Sequence, residues 1–375
     1  PIWYKQPFKT IYIVSRLLAL VALVPSWLIT YSVLPRPRAS WTLKESVLVR
    51  IIRWIMPLNA NCGLSPMATD KTRQVPETEL KETSFVWIEP ARDDFLKGSA
   101  VDPLVSPIRV PGYIWPKAGD LGKSDDTALV GLFVHGGGYM MGNGSETFPE
   151  CGMHLWHTFP LSLVAVDYRL VNDAPHPGQL IDALSGYCHL TDVLGIPSSR
   201  IVIIGACAGG HLALMLTRYL HDEKVLPLPL GLMLFSPWVD MAIDKSAAMD
   251  NSIARPNADT DLLATSYLAN LRFLGHHPSS LLSSSLLSGN LAPSGAYVGY
   301  PKTFISIGEC EAFKRECEQL ASKMVADGVD LTINVQTDAV HDFWGFGSGV
   351  PSDRARAHLS YDVEAWVGTL ESPSK

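Results

Sequence analysis

The stretch "IVIIGACAGG", residues 201–210, decides how this chain folds. Four apolar residues run into a turn of small ones, and a helical pattern follows at once in His211, Leu212, Ala213, Leu214, Met215 and Leu216. This reads as strand, sharp turn, helix. Gly205 and Gly209 bracket the turn, with Cys207 between them. Such a turn lifts its central side chain clear of the backbone at a helix N-terminus, where the peptide dipoles favour a thiolate. What that thiol is for is the question the rest of the chain must answer.

Working outward, short apolar runs recur on both sides: "FVWIE", "PIRVPGYIW", "ALVGLFVHGGG", "LSLVAVDYRL", "SRIVIIGACAGG", "LGLMLFSPWVD", "KTFISIGE" and "VDLTINVQ". From the third onward they alternate with helical stretches, which predicts βαβ units and a mainly parallel sheet with helices on both faces. The helix before the last run is marked by Cys317, Leu320, Ala321, Met324 and Val325 on one face, with Gly328 as its stop. Residues 241–300 interrupt the alternation with low charge and much Ser, Asn, Ala and Leu, and are expected to be a cap insertion. The chain thus divides into an N-terminal helical cap segment, 1–75, and an α/β domain, 85–370. A polar stretch over 59–84 reads as the linker.

Bulk properties narrow the function. A chain of 375 residues buries a large core, and α/β folds of this length are often one domain. The net charge is −7 with scattered basic residues, so no nucleic-acid partner is expected. Six cysteines, Cys62, Cys151, Cys188, Cys207, Cys310 and Cys317, include no C-x-x-C pair and no zinc-finger spacing. His154 with His157, and His276 with His277, have no acidic or thiol neighbour at ligand spacing. No metal and no cofactor are expected.

The first sixty residues are unusual. Leu17 to Leu34 is apolar without a charge, at the short limit for a membrane span, with Pro25 expected to break it. Residues 41–56 form an amphipathic helix capped by Ser40 or Thr42. Leu43, Val47, Ile51 and Trp54 or Ile55 lie on one face, with Lys44, Arg50 and Arg53 on another. A membrane anchor, an interfacial helix pair and a cap over an active site all need such an apolar face, and cap packing is preferred. Membrane-surface contact through residues 1–56 goes with a cytoplasmic, endomembrane-associated protein. The Asn143-Gly144-Ser145 sequon, beside a glycine-rich loop, would put a glycan over the site and points the same way.

Five stretches in order, "HGGGY", "VDYRL…APHPG", "GACAGG", "SPWVD" and "HDF", resemble the hormone-sensitive-lipase-like branch of the α/β-hydrolases over residues 85–370. The apolar N-terminal segment resembles fungal members of that branch. The resemblance implies that His135-Gly136-Gly137-Gly138 begins an oxyanion loop and that 205–209 is the nucleophile elbow. Gly137, Gly138 and Ala208 would then supply the oxyanion N–H groups, each worth roughly 3–4 kcal/mol in such sites. His341 stands where the family places its base, and Glu311 where it places its acid, with Glu309 as runner-up and Glu316 on the following helix. Asp338 and Asp342 lie too near His341 along the chain to be natural choices. Tyr139, Trp238 and Phe343 would line the substrate pocket.

Two departures matter: Cys207 replaces the family's serine, and Ala206 replaces the aspartate usual before it. With the other parts retained, retooling is a better account than decay. The first reading is a Cys-His-Glu enzyme of small-molecule, secondary-metabolite biosynthesis, acting on an ester, thioester or lactone of an apolar substrate by hydrolysis or acyl transfer. A non-hydrolytic cyclase, lyase or condensation enzyme using His341 as acid–base is the second, and an inactive binding protein the third.

Overall fold

In the computed structural model, residues 2–117, 121, 127–148, 161–242, 270–345 and 353–371 are described. The eight apolar runs become eight strands: β1 Ser84–Ile88, β2 Val110–Trp115, β3 Val130–Val134, β4 Ser162–Val166, β5 Ile201–Ala206, β6 Gly231–Phe235, β7 Lys302–Gly308 and β8 Leu331–Gln336. They form one sheet in the order β1-β2-β4-β3-β5-β6-β7-β8. The β1–β2 and β2–β4 pairs are antiparallel, and every pair from β4–β3 to β7–β8 is parallel. All residues of β3, β5 and β6 are buried, as strands covered on both faces must be.

Seven helices flank the sheet among the described residues: α1 Phe8–Val33, α2 Leu43–Ile55, α3 Pro57–Cys62, α4 Gly178–Cys188, α5 Ala208–Glu223, α6 Lys314–Ala326 and α7 Asp353–Glu371. Two cores lie on opposite faces. Leu180, Leu184, Leu212, Leu216 and Leu320, from α4, α5 and α6, belong to one. Val363 and Trp366 of α7, with Trp41 and Val49, belong to the other. On α6, Cys317, Leu320, Ala321 and Met324 are buried as expected, whereas Val325 is exposed and Glu316 is buried in its place.

The N-terminal segment departs from expectation in three ways. Helix α1 runs unbroken through Pro25. A proline inside a helix costs about 3 kcal/mol, yet the helical backbone continues on both sides of it. Helix α2 is capped, as expected, by Thr42, in a reciprocal capping box with Glu45; of the expected stripe only Val47 is fully buried, with Ser46 and Val49 beside it, while Leu43, Ile51, Trp54 and Ile55 are half-buried. The stretch 59–84 is no loose linker. Lys71 forms a buried ion pair with Asp167 beyond β4, and Thr69 donates to the same carboxylate. Of the expected insertion, residues 243–269 lie outside the described residues, as do Cys151, His154 and His157.

Candidate active site

The register of β3, β5 and β6 aligns Val134 with Gly205 and Ala206 with Phe235, so the carboxyl ends of the central strands open side by side. Loops leave there under strain. Tyr139, Cys207, Ser236, Asp338 and Asp342 all have positive φ, follow β3, β5, β6 and β8, and none is glycine. Strained backbone gathered in one place marks a site whose geometry the surrounding fold enforces.

Cys207 sits at φ 50°, ψ −115°, between β5 and α5. Its N–H donates to Phe235 O at 2.9 Å, and its carbonyl accepts from His211 N at 3.0 Å and Trp238 N at 2.9 Å. The bracketing glycines are sterically required. A Cβ at Gly205 would lie 2.2 Å from Gly209 O, and one at Gly209 2.1 Å from Val134 O. Ala208 opens α5, where the first N–H groups lack intrahelical partners and point forward.

The glycine loop after β3 carries Gly137 at φ 97° and Gly138 at φ 60°. A Cβ on Gly137 would strike Met141 O at 2.3 Å. The loop is braced from within: His135 is buried, stacks on Tyr168 at 4.2 Å, and pairs its Nδ1 with Gly136 O at 2.8 Å. Burial drives its pKa down to about 4, so the ring is a neutral strut at ordinary pH.

His341 and Glu311 meet beside the elbow. Glu311 Oε2 lies 3.1 Å from His341 Nδ1, and its Oε1 accepts from Ser236 Oγ at 2.6 Å and from the Gly308 N–H. Burial pushes the Glu311 pKa up, against the hydrogen bond from His341. The sulfur of Cys207, an imidazole nitrogen of His341 and a carboxylate oxygen of Asp342 all lie within 4.8 Å of one another. Burial works against a charged His341, but the Asp342 carboxylate and the Cys207 thiol outweigh it and hold the imidazole pKa well above the ordinary value.

Most residues singled out in the sequence therefore converge. Glu309 instead accepts from Asp338 N at 3.0 Å, and Asp338 turns away to Ser40. Asp342, although next to His341 in sequence, brings its Oδ2 to 3.2 Å from His341 Nε2, opposite Glu311. Tyr139 and Trp238 are buried on the Cys207 side of the sheet, with Tyr139 Oη 2.5 Å from His211 Nδ1. Phe343 does not line a pocket with them. It packs in the other core with Phe133 and Phe235, because the left-handed turn at Asp342 sends the next side chain to the opposite face. Phe313, which the sequence did not single out, is the phenylalanine that packs at the site: it meets the His341 ring edge-on at 5.1 Å and stacks parallel to Trp238 at 6.3 Å. Burial raises the Cys188 thiol to about 12 and the Cys317 thiol well above the ordinary range, so neither is a ready nucleophile. Nor was the His276–His277 pair without an acid: Asp102 lies within 3.1 Å of both rings.

Comparison with known proteins identifies the family of the fold. Carboxylesterase NlhH of Mycobacterium tuberculosis is 26% identical over 233 residues, 60% of this chain and 70% of its own. Ethyl acetate hydrolase of Pseudomonas putida is 27% identical over 232 residues, with the same coverage. Among solved structures, a hormone-sensitive lipase from a metagenome library superposes with a TM-score of 0.54 at 26% identity, covering 68% of this chain and 82% of its own. EstE5 superposes at 0.60 with 21% identity over 88% and 99%, a likeness of fold. A family model described as alpha/beta hydrolase fold matches residues 131–345, more than half of the chain. The chain belongs to the α/β-hydrolase fold family, as an enzyme of its esterase- and lipase-like kind.

Proposed function

We propose that this enzyme works through a Cys207-His341-Glu311 set on an ester, thioester or lactone of an apolar small molecule, in secondary-metabolite biosynthesis. The observation that carries the reading is the strained Cys207 at the elbow, beside a His341 whose Nδ1 faces Glu311. The thiolate attacks the acyl carbon, and the N–H groups of Gly137, Gly138 and Ala208 receive the developing oxyanion. The imidazolium gives its Nε2 proton to the leaving oxygen or sulfur, and a thioester to Cys207 remains. Water, an alcohol or an amine then attacks the thioester, yielding its proton to His341, and the thiolate departs. Thioesters favour activated acyl donors, which sets this enzyme apart from a general esterase.

The second reading, a His341-driven cyclisation or elimination, draws on Asp342. A carboxylate against Nε2 is an addition to the three-residue set and steadies a proton at the very atom that faces substrate. Two variants separate the readings. Incubated with acyl thioesters of pathway-like apolar acids, the enzyme should gain the acyl mass on Cys207, read by intact-protein mass spectrometry. Cys207→Ala should lose adduct and turnover together, and His341→Ala should lose turnover in either case. Substantial turnover by Cys207→Ala with no adduct on the native protein would overturn the thioester route and leave the acid–base reading.

Residues 1–56 support a cytoplasm-facing enzyme resting on an endomembrane. Asn143 fits that placement: it is buried, its amide nitrogen donates to Met67 O at 2.6 Å, and a glycan there would have to displace the fold.

A further inference from the structure

Away from the elbow, a second group of titratable side chains is drawn together from three distant parts of the chain. The segment "FLGHHP", 273–278, turns at Gly275, which has φ 61° and where a Cβ would come 2.5 Å from Pro175 Cβ. Only glycine fits that turn. Adjacent side chains on an extended chain point to opposite sides, but this turn stacks His276 and His277 with ring centroids 4.3 Å apart. Both then reach one atom, Asp102 Oδ2, at 2.9 Å from His276 Nε2 and 3.1 Å from His277 Nε2. The Asp102 carboxylate is only 2% exposed, and its Oδ1 accepts from Leu104 N at 2.7 Å. The His176 carbonyl oxygen lies 3.2 Å from His277 Nε2.

One carboxylate oxygen faced by two imidazole nitrogens, with a carbonyl oxygen beside them, is also a donor set that a divalent ion takes. First-row ions bonded at about 2.0–2.1 Å hold neighbouring ligand atoms about 3.0–3.4 Å apart; the Asp102 oxygen lies 2.9 and 3.1 Å from the two imidazole nitrogens, and all three atoms lie within 4.8 Å of one another. Two imidazole nitrogens with one carboxylate oxygen suit zinc, cobalt or nickel, and not calcium or magnesium, which take oxygen alone. The 41% exposure of the His276 side chain leaves the group open to solvent, from which an ion can enter and water complete its shell.

We propose that Asp102, His276 and His277 form a binding site for a divalent transition metal of the zinc class, with the His176 carbonyl oxygen beside it as a further donor. The ion would clip residues 102, 176 and 276 together. Its reach extends inward, since His176 packs on Phe273 at 5.2 Å and Phe273 on Tyr139 of the glycine loop at 4.7 Å.

The test uses the full chain, stripped with chelator and titrated calorimetrically with zinc, and with cobalt followed by its absorption spectrum. One ion should bind per chain and raise the melting temperature. Asp102→Asn and the double substitution His276→Ala/His277→Ala should each weaken binding roughly tenfold or more and remove the thermal shift, while their metal-free melting shows that they fold. Cys207→Ala should bind as the native protein does, and the cobalt complex should show d–d bands without thiolate charge transfer. Failure to take up zinc at micromolar concentration would overturn the proposal. So would native-like binding by Asp102→Asn, or strong thiolate charge transfer abolished in Cys207→Ala, which would put the ion among Cys207, His341 and Asp342.

Discussion

Each of the strained residues at the carboxyl ends of the central strands aims or holds a particular group. Cys207 is fixed by three backbone hydrogen bonds, and Ser236 uses its hydroxyl to hold Glu311 while accepting from Asp342 N at 3.2 Å. Asp342 is the residue with the most to say about mechanism. His341 lies between two carboxylates, Glu311 Oε2 at 3.1 Å from Nδ1 and Asp342 Oδ2 at 3.2 Å from Nε2, so negative charge flanks the ring on both sides. Replacing Asp342 by Asn removes a negative charge that favours the imidazolium, and the His341 pKa must fall. Where the imidazolium protonates the leaving group, activity is present below that pKa and lost above it. In Asp342→Asn the high-pH loss of activity should therefore move to lower pH by about one unit, and Asp342→Glu should restore it. A pH profile that stays put while kcat drops would show that Asp342 only shapes the loop.

At the scale of elements, what was legible in the sequence is what short-range pattern encodes. Apolar runs gave all eight strands, and "IVIIGACAGG" gave the elbow, because strand, turn and helix are each local in the chain. Pattern is silent where a partner lies far along the chain or the backbone turns left-handed. Nothing in "HDF" announces the turn at Asp342 that sends Phe343 to the other core. Nothing near His276 and His277 announces Asp102, which reaches them from a distant segment. The stretch 59–84 looked like a linker because its polar residues seemed solvated, yet Lys71 and Asp167, separated by 96 positions, are buried together. That pair ties the stretch down between the glycine loop, where Gly142 N donates to Pro66 O at 3.2 Å, and the end of β4. Lys71→Met should strand a buried carboxylate and cost about 3–5 kcal/mol, read as a lowered urea midpoint. Lys71→Met with Asp167→Asn should recover much of the loss. If the single variant unfolds at the native midpoint, the stretch is a linker after all.

The whole molecule is lopsided. Buried thiols and aromatics fill the α/β body, while α1 leaves Leu18, Val21, Ile29 and Val33 between 64% and 78% exposed, and only Tyr31 of its 26 residues is buried. Helix α1 is the one described helix long and apolar enough to cross a membrane. Its contacts, however, run to its neighbours in the fold. Arg16 stacks on Trp54 at 3.6 Å, Arg50 donates to Tyr31 Oη at 2.7 Å, and Asn61 donates to Tyr12 Oη at 2.9 Å. A helix of this length and hydropathy, held by the fold along one side, offers its exposed apolar face to a bilayer. The contacts also lead to the site, for Asn59 on α3 donates to Met141 Sδ next to the glycine loop. Each apolar side chain taken out of water contributes about 1.5–3 kcal/mol, so a few of them suffice for a reversible hold. The full chain should co-float with phospholipid vesicles, and Leu18→Lys with Val21→Lys should release it to the soluble fraction while leaving turnover of a water-soluble thioester unchanged, because both side chains face away from the fold. A native protein that stays in the soluble fraction would mean that the exposed face of α1 is covered by something other than lipid.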